Sequence, residues 1–451
     1  MWAVEKDPAL RSDLCNLSVL DHAPDPDRLR EKIAMAVQLI PSLGRRVVSA
    51  PLRIAPPEWV ADPTLDLDYH LRSVSVSGEG DERALLDLCA SLAEAPFDRG
   101  RPLWELTLIE GLADGRVAFL QKLHHTITDG VGGLKLSLAL VDFEPDPAPP
   151  DAAAAAESTP PSDKSHTPLH VTRDALIDAA GRQVEMVRST LGSMARLATH
   201  PLDVPGAIGE AARMAGSVRR QALVTESAHS DVMRNRSLRR RFDRIEVPLA
   251  DVRAAADALD GTVNDVFVTA VAGALGHYHA SRGSDTRDLR MAMPVNKRER
   301  GDVGANRFAP ARVVVPIQPI DPRARFAATA AALRSVRTEP ALDAVDRLAG
   351  LVSGLPTSIL VSFTRIQTRT IDFATSNLRG SPVPLYLAGA PILGNFGFGP
   401  RTGCAVNVTM MSYCGSCQLA FNIDPAAIDD PDAFMGFVRQ SFDEIAAAAR
   451  Q

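Results

Sequence analysis

Cysteine is scarce in this sequence: five residues in 451, odd in number and scattered at positions Cys15, Cys89, Cys404, Cys414 and Cys417. Such a set builds no disulfide framework and points to a reducing, cytoplasmic compartment. Long apolar runs are lacking too. Val266 to Gly276 is among the longest, about half of the roughly 20 residues that a membrane-spanning helix needs. The amino terminus, Met-Trp-Ala-Val-Glu-Lys-Asp, has no charged-then-apolar leader and no small-residue cleavage site, which argues against secretion. Net positive charge is absent: the formal charge is −6, so the field of the whole molecule does not favour nucleic acid and any basic site is local. Only six of the 49 basic residues are lysine, a bias that reads as genome composition rather than function.

What is present is a globular composition, 45% hydrophobic and 23% charged, unlike that of a disordered chain. The length allows about two to four domains at about 100–200 residues each. The clearest break is Glu144 to Pro168, where proline, alanine and small polar residues replace any apolar period. Such a stretch buries little and reads as a linker, dividing the chain into 1–143, a linker over 144–168, and 169–451.

In the first part, apolar spacing predicts helices over Pro26–Ile40 and Asp81–Ala95 and a strand over Val117–Leu123. After the linker, Val171–Leu197 reads as a long amphipathic helix, suited to core packing, interdomain contact or a lipid interface. Further strands are expected at Phe242–Val247, Arg290–Val295, Arg312–Ile317, Leu385–Ala388 and Ala405–Met411. Further helices are expected at Val252–Leu259, Asn264–His279, Arg325–Arg337 and Pro431–Ala449. No repeat with a solenoid period is found. The expected fold class is α+β with mixed sheets, in two parts.

The chemistry concentrates in Arg116–Leu140, RVAFLQKLHHTITDGVGGLKLSLAL, which reads as strand, turn and helix. Successive strand side chains alternate, so His124 and His125 face opposite ways and do different jobs. Diverging neighbours make a poor metal site, and no second ligand cluster with zinc-like spacing lies nearby. A histidine on a turn serves equally as a core residue or as a general base, its ordinary pKa lying near working pH. Spacing alone leaves both open. Gly130 beside Asp129 marks a constrained turn.

His124-His125-Thr126-Ile127-Thr128-Asp129-Gly130 resembles the HHxxxDG signature of CoA-dependent acyltransferases and peptide-synthetase condensation domains. Four further segments resemble, in order, motifs of bacterial wax ester synthase/diacylglycerol acyltransferases: Pro102-Leu103-Trp104-Glu105, Asn264-Asp265-Val266, Met293-Pro294-Val295-Asn296-Lys297-Arg298, and Ser376-Asn377 with Pro384-Leu385-Tyr386-Leu387-Ala388-Gly389-Ala390. The resemblance spans nearly the whole chain. It departs at Leu378-Arg379-Gly380, where the family has Val-Pro-Gly, which bears on local loop shape rather than on the reaction.

That resemblance implies two chloramphenicol-acetyltransferase-like halves with the active site in a tunnel between them. It implies a long-chain acyl-CoA co-substrate, no cofactor or metal, and diacylglycerol as acceptor, giving triacylglycerol; wax ester synthesis from a fatty alcohol is the alternative. By resemblance His125 is the general base, His124 packs or places the turn, Asp129 pairs with Arg298, and Asn264 donates to the oxyanion. No covalent acyl-enzyme is required. Trp104, Asp265, Ser376 and Asn377 are candidates for the substrate tunnel. The resemblance also admits a peripheral position on the inner face of a membrane or on a lipid droplet.

Plainer readings stand beside these. Trp104 reads as a core or interface aromatic ahead of a substrate contact, and Asn264-Asp265 reads equally as a helix cap. Cys414-Gly415-Ser416-Cys417 has redox spacing without redox context, while His277 and His279 read as ordinary helix-end residues. Arg234, Arg236, Arg239, Arg240, Arg241 and Arg244 read as a solvated face, a clamp for CoA phosphates, or a contact with anionic lipid. Without interleaved aromatics they do not read as a nucleic-acid site. Two rival functions are amide-forming condensation, which needs a carrier domain, and a catalytically silent lipid-binding relative.

Overall fold

The computed structural model describes residues 7–49, 57–127, 139–147, 229–296, 308–318, 321–337 and 357–451, together with Trp2, Glu5 and Leu136. The expected helix over Val171–Leu197 and most of the linker lie outside the described residues.

A seven-stranded sheet forms the first half. Its strands are β1 (Asp13–Leu20), β4 (Leu71–Ser75), β5 (Trp104–Glu110), β6 (Val117–His124), β7 (Val141–Asp142), β12 (Tyr386–Leu387) and β13 (Ala390–Phe398), in the order β4-β5-β6-β1-β13-β12-β7. The β4–β5 pair is parallel and the other pairs are antiparallel. A two-stranded ribbon, β2 (Arg45–Val48) and β3 (Glu58–Ala61), stands apart. The second half is a six-stranded mixed sheet in the order β10-β9-β11-β14-β15-β8. It comprises β8 (Arg241–Pro248), β9 (Asp288–Asn296), β10 (Phe308–Pro316), β11 (Phe373–Arg379), β14 (Val406–Tyr413) and β15 (Ser416–Ile423).

Local chemistry explains the helices. Helix α1 (Pro26–Leu39) starts where the Asp25 carboxylate accepts from the Asp27 and Arg28 amides at 3.0 and 2.9 Å, with proline in its first turn. A one-turn helix, α2 (Leu67–His70), precedes β4. Helix α3 (Glu82–Glu94) is capped by Asp81 and buries Leu85, Leu86 and Cys89.

After β8 come α4 (Leu249–Ala258) and α5 (Val263–Ser281), then α6 (Pro322–Arg337), α7 (Thr357–Arg369) and the closing α8 (Pro431–Ala449). Helix α5 is apolar on nearly every side because it runs through the core, packed against α4, α6 and α8. No single helix among the described residues is long and apolar enough to cross a membrane. At Gly276 in α5 an added Cβ would stand 1.8 Å from the Ile317 carbonyl oxygen, so this helix reaches its neighbour only without a side chain there.

The halves of the sequence are not the halves of the fold. β12 and β13 come from the late chain, yet they complete the first sheet. β13 pairs with β1 from Cys15 opposite Phe398 to Leu20 opposite Ile392, and it packs beside β14 and β15 of the second sheet. Side chains stitch this seam. Asn395 donates its amide to Gln418 at 2.6 Å, and Tyr413 donates its hydroxyl to the Ile392 carbonyl at 2.8 Å. Asn422 and Asn407 donate to the Gly399 and Pro400 carbonyls. On the other flank α3 meets β8, with Arg83 paired with Asp243 at 2.8 Å, and Phe242 of β8 stacks on Phe398 of β13 at 4.1 Å.

Gly276→Ala is expected to destabilise the protein by about 1–3 kcal/mol through overpacking, read as a fall of the melting midpoint by several degrees. An unchanged midpoint would remove the close helix contact from this account.

Candidate active site

The strand β6 delivers the two histidines. His124 closes it, opposite Asp13 of β1, and the chain then turns, with Ile127 donating to the His124 carbonyl at 2.9 Å. As strand alternation requires, the histidines part. The His124 side chain is 3% exposed and hydrogen-bonded at both ring nitrogens. Its Nδ1 accepts from the Thr126 amide at 3.1 Å and lies 2.7 Å from the Thr126 hydroxyl. An Nδ1 that accepts a backbone N–H carries no proton in that bond, so Nε2 holds the proton and donates it to the Glu5 carboxylate. The edges of Trp2 and Phe97 flank the ring. His125 is only half-buried, and its amide donates to the Ser12 carbonyl at 3.0 Å.

Glu5 ties these contacts together. One carboxylate oxygen takes the His124 proton donor, while the other accepts the Ser12 amide at 3.1 Å. Ser12 thus stands between Glu5 and His125, held through its N–H and holding through its carbonyl. Glu5 is a residue that the sequence reading missed, since a glutamate five residues from the start carries no periodic or motif signal. Burial pushes its carboxyl up, but the hydrogen bonds from His124 and from Ser12 outweigh burial and hold it below the usual range.

Asn264, on the first turn of α5, meets Asn377 of β11, whose amide nitrogen donates to the Asn264 side-chain oxygen at 3.3 Å. Two motif segments more than a hundred residues apart therefore converge. The amide nitrogen of Asn264 is buried and has no partner among the described residues, which leaves a donor available to a developing negative charge. Ser376, its neighbour, is half-buried.

Asp265 is committed elsewhere: it forms a capping box with Thr262, accepting from the Thr262 amide at 2.8 Å and hydroxyl at 2.7 Å. The capping reading holds for Asp265, and its carboxylate is turned back on its own helix rather than towards a substrate. Trp104 is 1% exposed, stacked on His70 at 4.1 Å, with its indole N–H donated to the Leu43 carbonyl at 2.8 Å. It is a core aromatic, and the apolar void beside it, about 10 Å³, has no room for a substrate. Asp129, Gly130 and Arg298 lie outside the described residues.

Four of the six clustered arginines are bound to the protein rather than left on a solvated face. Arg236 donates to the Gly403 and Asn235 carbonyls at 2.8 Å. Arg240 stands 3.5 Å from Asp13, and Arg244 bonds Glu82 at 2.6 Å. Arg241 holds Asp243 at 2.8 Å and Asp432 at 2.5 Å. Arg234 and Arg239 are exposed. Cys414 and Gly415 form the two-residue turn of the β14–β15 hairpin, both with positive φ (45° and 81°), so the CxxC spacing is a hairpin and not a redox pair. His277 pairs with Glu444 at 2.9 Å, and His279 is buried against Ser230 and the Leu275 carbonyl.

Residues 11–267 match the wax ester synthase/diacylglycerol acyltransferase catalytic domain, and residues 304–446 match the WS/DGAT C-terminal domain. A Mycobacterium tuberculosis protein provisionally named as a diacylglycerol O-acyltransferase is 35% identical over 452 residues, covering 99% of this chain and 90% of its own length. A second from the same species, named likewise, is 32% identical, covering 96% of this chain and 93% of its own length. Among solved structures, the wax ester synthase/diacylglycerol acyltransferase from Marinobacter aquaeolei superposes with a TM-score of 0.62 at 20% identity, covering 98% of this chain and 96% of that one. The starter condensation domain of rhizomide synthetase, solved with C8-CoA, superposes with a TM-score of 0.59 at 14% identity, covering 100% of this chain and 92% of that one. Both share the fold of this chain.

A carboxylate whose pKa is depressed on folding stabilises above its unfolded value and loses that contribution as pH falls through the folded one. Wild type is therefore expected to lose stability below about pH 4.5, the unfolded Glu5 value. Glu5→Gln is expected to start about 1.5–3 kcal/mol lower at neutral pH and to show a flatter acid limb. Melting midpoints between pH 3 and pH 7 decide this, and parallel curves for the two proteins would break the Glu5 assignment.

Proposed function

The chain belongs to the wax ester synthase/diacylglycerol acyltransferase family and is an acyltransferase, and from that premise we propose that it transfers a long-chain acyl group from CoA to the hydroxyl of diacylglycerol. The names of its mycobacterial relatives support that acceptor. The observation that carries the mechanism is the division of labour between the two histidines: His124 is bonded at both ring nitrogens inside the protein, while His125 follows it at the strand end and is half-buried.

His125 takes the proton of the acceptor hydroxyl as that oxygen attacks the thioester carbonyl. The C=O electrons move onto oxygen, where the Asn264 amide nitrogen, which has no partner among the described residues, meets the oxyanion. The intermediate collapses, the C–S bond breaks, and the proton held by His125 passes to the departing CoA sulfur. The products are the ester and CoA, and the base returns to its starting state. Positioned general-base catalysis supplies about 10²–10⁴-fold, and orientation of two bound reactants supplies more, so direct transfer without an acyl-enzyme suffices. His124 acts by position: with Glu5 and Ser12 it fixes the turn that presents His125.

The test is CoA release by the purified protein with palmitoyl-CoA, offered diacylglycerol, hexadecanol or no acceptor, with the lipid product identified by mass. Acceptor-dependent release, faster with diacylglycerol, is expected. Faster release with hexadecanol would make the protein a wax ester synthase, and no release with either acceptor would overturn the reading. His125→Ala is expected to lower kcat by about 10²–10⁴-fold with the melting midpoint unchanged, whereas His124→Ala is expected to lower both. Equal melting losses in the two variants would sink the division of roles.

A further inference from the structure

Where the two halves meet, a polar cavity of about 150 Å³ opens between the amino-terminal segment, the end of α3, the lead into β8 and the loop joining β13 to β14. Four guanidiniums line it, from Arg11, Arg236, Arg240 and Arg401, against two carboxylates, from Glu94 and Asp424. The carboxylates are already engaged. Asp424 holds Arg401 at 2.6 Å and accepts from the Ser237 amide and hydroxyl at 2.7 and 2.6 Å. Glu94 accepts the Arg240 amide at 2.5 Å, and the Arg240 side chain leans on Asp13 at 3.5 Å.

Arg11 and Arg236 have no carboxylate partner among the described residues. Arg11 donates to the Glu94 carbonyl at 3.0 Å, and Arg236 donates only to backbone carbonyls. The Arg401 side chain is 10% exposed, and its Nε is buried without a hydrogen-bond partner among the described residues.

Buried positive charge short of compensation is costly, and an arginine with spare N–H groups is built to take the oxygens of a phosphate. We propose that this cavity binds a phosphate group of the CoA donor, an assignment that rests on the CoA-dependent reading above. The volume suits a phosphate. Burial holds the Arg236 and Arg401 guanidiniums below the ordinary arginine pKa, as expected where positive charge awaits an anion. The cavity also stands next to the chemistry: Arg11 is followed directly by Ser12, whose carbonyl holds the His125 amide. An anion seated there would bridge both halves of the fold beside the catalytic turn.

The test compares decanoyl-CoA with the decanoyl thioester of N-acetylcysteamine, which carries the same reacting bond and no phosphate. Arg11→Met gives up a single carbonyl bond and is the variant of choice; Arg236→Met, which releases the loops it anchors, is the second. In Arg11→Met, kcat/KM for the CoA thioester is expected to fall about tenfold or more, with the phosphate-free thioester unchanged. Inorganic phosphate is expected to compete with decanoyl-CoA in wild type and not in the variant.

Equal losses on both thioesters, or no loss on decanoyl-CoA in folded Arg11→Met and Arg236→Met, would overturn the proposal. Binding of inorganic phosphate together with undiminished use of CoA in both variants would assign the cavity to a free oxyanion and overturn the CoA part. If wild type turns over neither thioester, equilibrium dialysis separates the questions. CoA retained by wild type and lost from Arg11→Met upholds the cavity while acyl transfer fails, and no retention by wild type overturns the cavity.

Discussion

Strand β13 is the member on which the architecture depends. Its backbone is bonded to β1 in the first sheet, while Asn395 within it reaches Gln418 of the second. Asn395 also gathers Asn16 and Ser18 of β1 through its side-chain oxygen, at 2.7 and 3.2 Å. One residue therefore holds both sheets. A strand drawn from the late chain into the early sheet makes the halves inseparable without breaking a central ladder, which costs far more than parting two side-chain surfaces. Contacts of high sequence separation, such as Asn16 with Asn395, make this a slow-closing topology.

The same seam determines what the charged residues do. Arg83 with Asp243, Arg244 with Glu82 and Arg240 with Asp13 each span the boundary between the first sheet's elements and the lead into the second. A run of arginines that looks solvated along the chain becomes a girdle between halves. Partly exposed pairs of this kind add little stability singly, about 0–1 kcal/mol each, and their effect is orientation more than strength. Where the girdle passes the amino-terminal segment, guanidiniums outnumber carboxylates and a cavity remains.

The site obeys a related rule, that buried polar groups find partners or serve a reaction. Glu5, Ser12, His124 and Thr126 satisfy one another in a connected set of hydrogen bonds at the end of β6. Asp265 closes on Thr262. The Asn264 amide nitrogen is among the buried polar atoms that have no partner among the described residues.

Periodicity and capping were legible along the chain. Helices α1, α3, α5 and α8 and strands β6, β8, β9 and β14 lie within a few residues of their expected bounds, because an apolar period and a cap are local properties. The strands β1 and β13 were not legible. β1 alternates only over its first half and is buried continuously over its second, and β13 carries glycines at Gly394 and Gly397 that read as breaks. The order of the motifs identified the family, and strand alternation alone separated His124 from His125. Sequence by itself thus determined the elements, the family and the pair of histidines, since these follow from neighbours in the chain. Only the tertiary structure decided that Trp104 is core, that Asp265 is a cap, that Glu5 guards the turn and that the arginines face a cavity. Those roles depend on partners supplied from distant segments, and no local pattern encodes which buried donor finds which acceptor.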